Sequence, residues 1–124
     1  MKKSEFKVDN ELFVADDISY EYAQLDGDNA GRSDDGVMYR DVIGLTNKVS
    51  YDFKDYRSEE EISKILKLLK KTSCSLYYYD LLEMEWITKN MYVVGDSVKA
   101  KIIEDSITSE PFQIRFIQMD TDNI

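Results

Sequence analysis

Polar and apolar residues alternate along most of the chain. Ile18, Tyr20 and Tyr22 alternate with Ser19, Glu21 and Ala23, and Val49, Tyr51 and Phe53 alternate with Lys48, Ser50, Asp52 and Lys54. The period of two recurs at Leu76 and Tyr78, at Met84 and Trp86, at Val98, Ala100 and Ile102, and at Phe112, Ile114 and Phe116. Successive side chains of an extended chain point to opposite faces, so each run predicts a strand with one buried face. Turn-forming residues separate the runs at Asp26 to Gly36, near Leu81–Leu82, at Lys89–Asn90, at Gly95–Asp96, and near Asp105 and Pro111.

One segment has a different period. Ile62, Ile65, Leu66 and Leu69 fall at i, i+3, i+4 and i+7 and predict one face of a helix over about Ser58 to Lys71. Ser58 and Glu61 form a capping box ahead of it. Glu59 and Glu60 complement the positive end of the helix dipole, and Lys67, Lys70 and Lys71 the negative end. The implied fold class is α+β, mainly antiparallel β: a β-sandwich or partly open barrel of about seven strands with one amphipathic helix covering an edge or an open end. With 124 residues, one proline and no internal repeat, a single β-rich domain over 1–124 with a long loop at 26–36 is expected.

Charge and composition then narrow the function. Sixteen Lys and Arg against 25 Asp and Glu give a net charge of -9. That sign argues against specific nucleic-acid binding, which needs clustered cations, and against docking on anionic lipid. Without histidine, His-based acid–base catalysis, Ser-His or Cys-His triads and His-ligated metals are excluded. One cysteine allows neither an intrachain disulfide nor a cysteine-cluster zinc site. Cys74, between two serines, reads as a small core residue. The charged start, Met1 to Glu11, holds no apolar leader stretch, and the apolar run around Cys74 to Tyr79 is too short for a membrane span. No Walker loop, dinucleotide fingerprint or nucleophile elbow is present, and Glu83 with Glu85 is a weak candidate for paired carboxylates. The expectation is a non-enzyme made in a cytoplasm, with no cofactor, metal, membrane or small-molecule substrate.

Two stretches are candidates for contacts. In the loop, Asp26, Asp28 and Gly31 match the start of a calcium-binding EF-hand loop. Ala30 then stands where an oxygen ligand belongs and Val37 where a bidentate glutamate is needed, so a solvated loop is the stronger reading. Its length exceeds the roughly 2–5 residues of ordinary hairpin loops. Arg32, set among Asp26, Asp28, Asp34, Asp35 and the glycines Gly31 and Gly36, suits a carboxylate on a neighbouring subunit. In the second stretch, Tyr77 and Tyr79 point opposite to Tyr78 and serve equally as interface aromatics or as cover for a sheet face. Stacking on sugars or bases is less expected, the latter because no basic groove accompanies the rings.

The run Ala30-Gly31-Arg32-Ser33-Asp34-Asp35-Gly36-Val37-Met38-Tyr39-Arg40-Asp41 resembles a motif of small tail-associated structural proteins of long-tailed phages and prophages of Gram-positive bacteria. The likeness continues through Asn47 to Phe53, the helix from Ser58-Glu59-Glu60-Glu61, and Met91-Tyr92-Val93-Val94, and covers roughly Ile18 to Val94. It implies a virion structural protein of the tail, made in the bacterial host cytoplasm and placed in the tube, tail end or baseplate region. The outline it implies is a β-sandwich with one flanking helix and a long loop, here including Met38, laid on the adjacent subunit. Its implied partners are copies of itself in a ring and other phage tail proteins. The alternative is an acidic cytoplasmic binding or immunity-type protein that neutralises a basic partner.

Overall fold

The computed structural model describes residues 1–26, 31–32, 38–39, 42–54, 58–95 and 97–119, by backbone alone at 25–26, 31–32, 38–39 and 42–44. In chain order the elements are β1 (Glu5–Val8), β2 (Glu11–Val14), β3 (Asp17–Asp26), β4 (Gly31–Arg32), β5 (Met38–Tyr39), β6 (Val42–Phe53), α1 (Glu59–Leu68), β7 (Ser73–Asp80), β8 (Glu85–Gly95), β9 (Ala100–Ile103), β10 (Ser106–Ser109) and β11 (Phe112–Gln118). Seven strands form one antiparallel sheet in the order β2-β1-β7-β8-β11-β6-β3, and β9–β10 and β4–β5 pair separately. The mainly antiparallel architecture with one helix is as the alternation implies. The sheet is not closed into a barrel.

Its curvature follows from a short link. Strands β2 and β3 occupy opposite edges of the sheet, yet only Ala15 and Asp16 lie between them. The sheet must coil until its edges meet at that end. Ala15 N–H donates to Ser4 O at 3.3 Å, and Asp16 N–H donates to Asp52 O at 2.9 Å. The two halves therefore face each other as in a sandwich, with Phe6 of β1 stacked on Tyr51 of β6 at 4.0 Å and edge-on to Phe116 of β11 at 5.6 Å. Val49, Phe53, Leu76, Tyr78, Met91 and Ile114 complete the buried centre.

Helix α1 closes one end of this coil. Ser58 is extended and its Oγ accepts from Glu61 N–H at 3.3 Å, the cap that the capping box implies. The buried face is Ile62, Ile65 and Leu68, with Leu69 half-buried, whereas Leu66 is 44 % exposed. This corrects the expected face, because the helix is drawn sideways onto β2. Lys64 Nζ donates to Leu12 O at 2.6 Å and lies 5.0 Å from the centre of the Phe13 ring, and Lys71 pairs with Asp9. The Lys71 ammonium, and after it the Ser75 N–H, hold the Asp9 carboxyl below its usual range. The helix ends at Leu68, short of Lys71, in a tightened turn where Lys71 N–H reaches Leu68 O at 3.0 Å.

Other boundaries also differ from expectation. No turn occurs at Lys89–Asn90: β8 runs through it, paired as Leu76↔Lys89 and Ser75↔Asn90. Met84 is not part of a strand but sits in the β7–β8 turn with φ of 53°. Val98 precedes β9, half-buried against the core. The β1–β2 hairpin, not among the expected strands, turns at Asp9 and Asn10 with φ of 49° and 72°, which suits a two-residue hairpin turn.

Two paired segments extend past the shared ladders of the seven-stranded sheet. Strand β11 covers β6 from Phe53 to Lys48, while β3 follows β6 on to Val42, so Asn47 to Val42 pairs with β3 alone among the described residues. The β9–β10 hairpin, between β8 and β11, pairs within itself among the described residues, rests its half-buried Ile107 against the core, and turns at Glu104 and Asp105 with φ of 48° and 65°.

Candidate functional site

The loop expected to make contacts begins where the β3–β6 ladder ends. Asp26 closes β3 opposite Val42 after a slip in register at Leu25. Gly31 pairs with Tyr39 and Arg32 with Met38, so the two halves of the Gly-Arg and Met motif lie across from each other in a short ribbon. Asp28, Asp34, Asp35 and Gly36 lie outside the described residues.

The base of this arm is fastened by polar groups that the alternation does not reveal. Ile18, Tyr20 and Tyr22 occupy the inward positions of β3, and the two tyrosine rings stack at 6.1 Å. Tyr22 Oη donates to Asp80 Oδ1 at 2.7 Å and accepts from Leu82 N–H at 3.2 Å, while Asp80 Oδ2 accepts from Glu83 N–H at 3.2 Å. Tyr20 Oη donates to the Tyr79 carbonyl, and Asn47 Nδ2 donates to Tyr78 Oη at 2.7 Å. Asp80 is only 1 % exposed, so the Tyr22 hydroxyl and the Glu83 N–H offset the cost of burying its carboxylate. Burial first, then the Asp80 charge, pushes the Tyr20 phenol up to about 12. Tyr22 is raised further, by burial and by its hydrogen bond to Asp80. The available signal was position: Asp80 continues the inward series Cys74, Leu76 and Tyr78, so strict alternation places an acid inside.

Tyr77 and Tyr79 both lie on the outer face of β7, opposite the buried Leu76 and Tyr78, and both are half-buried. Trp86 of β8 packs between them, stacked on Tyr77 at 5.5 Å and edge-on to Tyr79 at 5.7 Å. Lys3 Nζ lies 4.5 Å from the Tyr79 ring centre. The rings therefore cover one another across two strands, a cross-strand aromatic cluster that shields the outside of the sheet.

Burial, reinforced by the nearby Asp9 charge, pushes the Cys74 thiol up to about 11, so it stays protonated and unreactive at neutral pH. Glu83 lies in the turn and Glu85 opens β8, so the two do not share a strand face. Among the described residues, no group of three acidic or cysteine side chains is placed to hold a metal, and no helix is long and apolar enough to cross a membrane. No protein-family profile matches the chain, and no curated protein matches its sequence.

Proposed function

We propose that the chain is a structural subunit of a phage or prophage tail, in the tube, tail end or baseplate region, that assembles through contacts with copies of itself and with other tail proteins. The observation that carries this reading is the β3–β6 arm. A coiled, well-packed sheet holds out a two-stranded ladder, fastened at its base by Tyr22 and Asp80, and that ladder leads into the Gly31–Arg32 and Met38–Tyr39 ribbon. A two-stranded ribbon is marginal by itself in water, so a segment of this kind gains stability when a neighbouring subunit covers it. Contacts between one surface and a different surface of the next copy build rings or filaments.

Deleting Asp28 to Asp34 is expected to leave a folded monomer and to abolish particle assembly, read by circular dichroism and by electron microscopy of lysates. Mass spectrometry of purified particles should find the intact chain. Normal particles from the deletion, or particles without the chain, would end the proposal. The net charge of -9 also favours the acidic inhibitor reading. That protein would bind one basic partner tightly and with strong salt dependence.

A further inference from the structure

The β7–β8 turn, Leu81-Leu82-Glu83-Met84, carries large apolar side chains where turns ordinarily carry Gly, Asn, Asp or Ser. Leu81 and Leu82 are just over half exposed and Met84 is 74 % exposed. The turn is nevertheless pinned in place. Leu82 N–H donates to Tyr22 Oη and Glu83 N–H to Asp80 Oδ2, each at 3.2 Å, and Met84 is held at a φ of 53°, uncommon for a residue with a side chain. The turn lies beside the base of the β3–β6 arm, because Tyr22 reaches both Asp80 and Leu82. Apolar surface presented in this way marks an interaction site.

A second exposed apolar patch lies on the outer face of the sheet. Register puts Tyr92 of β8 opposite Ile117 of β11 and Val94 opposite Arg115, so these four side chains share one face. Met119 N–H donates to Asn90 O at 3.2 Å, which carries the alternation one residue past β11 and keeps Met119 on that face. Tyr92, Val94 and Met119 are exposed and Ile117 is half-buried. Lys48 of β6 stands beside Ile117 in the next strand. Bases therefore border the patch, at Arg115 and Lys48, whereas acids accompany the turn, at Glu83 and Glu85. The two surfaces do not meet within one chain: Glu85 and Tyr92 lie on the same strand, about 23 Å apart at 3.3 Å per residue. An anionic lipid surface suits the turn poorly, since it holds Glu83 and no base. We infer that the Leu81–Met84 turn of one copy docks on the outer face of β8 and β11 of a second copy, with Glu83 and Glu85 toward Arg115 and Lys48. The contact rests on the self-assembly part of the proposed function and adds an apolar anchor beside the β3–β6 arm.

Sedimentation velocity on the full chain over a concentration series tests it, with circular dichroism to confirm that each variant folds. The wild type should self-associate. Met84→Asp suits the positive φ of the turn and Tyr92→Thr suits a strand, so both spare the fold. Each should weaken association by roughly tenfold or more. Mixing the two variants should restore pairing, because Tyr92→Thr supplies an intact turn and Met84→Asp an intact face. Glu83→Lys should weaken association as well, by setting a base against Arg115 and Lys48. A wild type that stays monomeric overturns the contact, and so does a folded Met84→Asp or Tyr92→Thr chain that associates as the wild type does. Flotation of the wild type with phosphatidylcholine vesicles, lost in Met84→Asp, would give the turn to lipid and overturn the contact too. The tail reading fails by a different measurement, the absence of the chain from particles, so either proposal survives the loss of the other.

Discussion

Buried and half-buried hydroxyls among the described residues divide into those with partners and those without, and the two kinds respond oppositely to removal. Tyr22 Oη bridges the Asp80 carboxylate and the Leu82 N–H. Tyr22→Phe strips a donor from a buried charge and should cost about 1–3 kcal/mol. The Tyr51 hydroxyl is fully buried and has no hydrogen-bond partner among the described residues. Tyr51→Phe should therefore be neutral or stabilising, because it deletes an unsatisfied polar atom and keeps the ring stacked on Phe6. Urea denaturation of both variants decides this, and equal losses would contradict it. The raised phenols also set an alkaline limit. Tyr20 goes from 10.0 to about 12, so its contribution is fully present below pH 10 and is lost as pH rises through about 12. Tyrosinate absorbance followed with unfolding should show part of the nine tyrosines ionising only when the fold is lost.

Elements differ in how locally they are determined. Helix α1 carries its start in Ser58, and Ser58→Ala should cost about 1 kcal/mol in chemical denaturation, since the Glu61 N–H loses its acceptor. That start, and strands β3, β6, β7 and β11, were legible because their inward residues alternate or repeat over several positions. Strands β1 and β2 were not, because each is only four residues long, although Phe6 and Val8 alternate with Glu5 and Lys7. What buries Phe6 is remote, the Tyr51 and Phe116 rings. Lys89–Asn90 has the polarity of a turn but is held straight by β7. The arm's fastening was equally hidden, since Tyr22 and Asp80 are 58 residues apart. The helix face differs in one residue, Leu68 in place of Leu66 two positions earlier, because Lys64 anchors it to β2 and no local pattern encodes that tilt.

On the scale of the whole molecule, acidity is distributed where it does not compromise the core. Of the acids described, Asp80 is the buried one, and it is furnished with donors. The remainder keep the surface charged. The sheet order also has a bearing on synthesis. Strand β1 meets β7 as Lys7↔Tyr77 and Val8↔Leu76, so its second neighbour leaves the ribosome long after it does. At about 5–20 residues per second, the delay is several seconds. During that time Phe6 and Phe13 belong to a lone two-stranded hairpin without a core to enter. Chains stalled before Ser73 should be cut readily by protease near the N-terminus, whereas chains stalled well past Gln118 should resist. Strand β1 is thus secured late, only once β7 is available to pair with it.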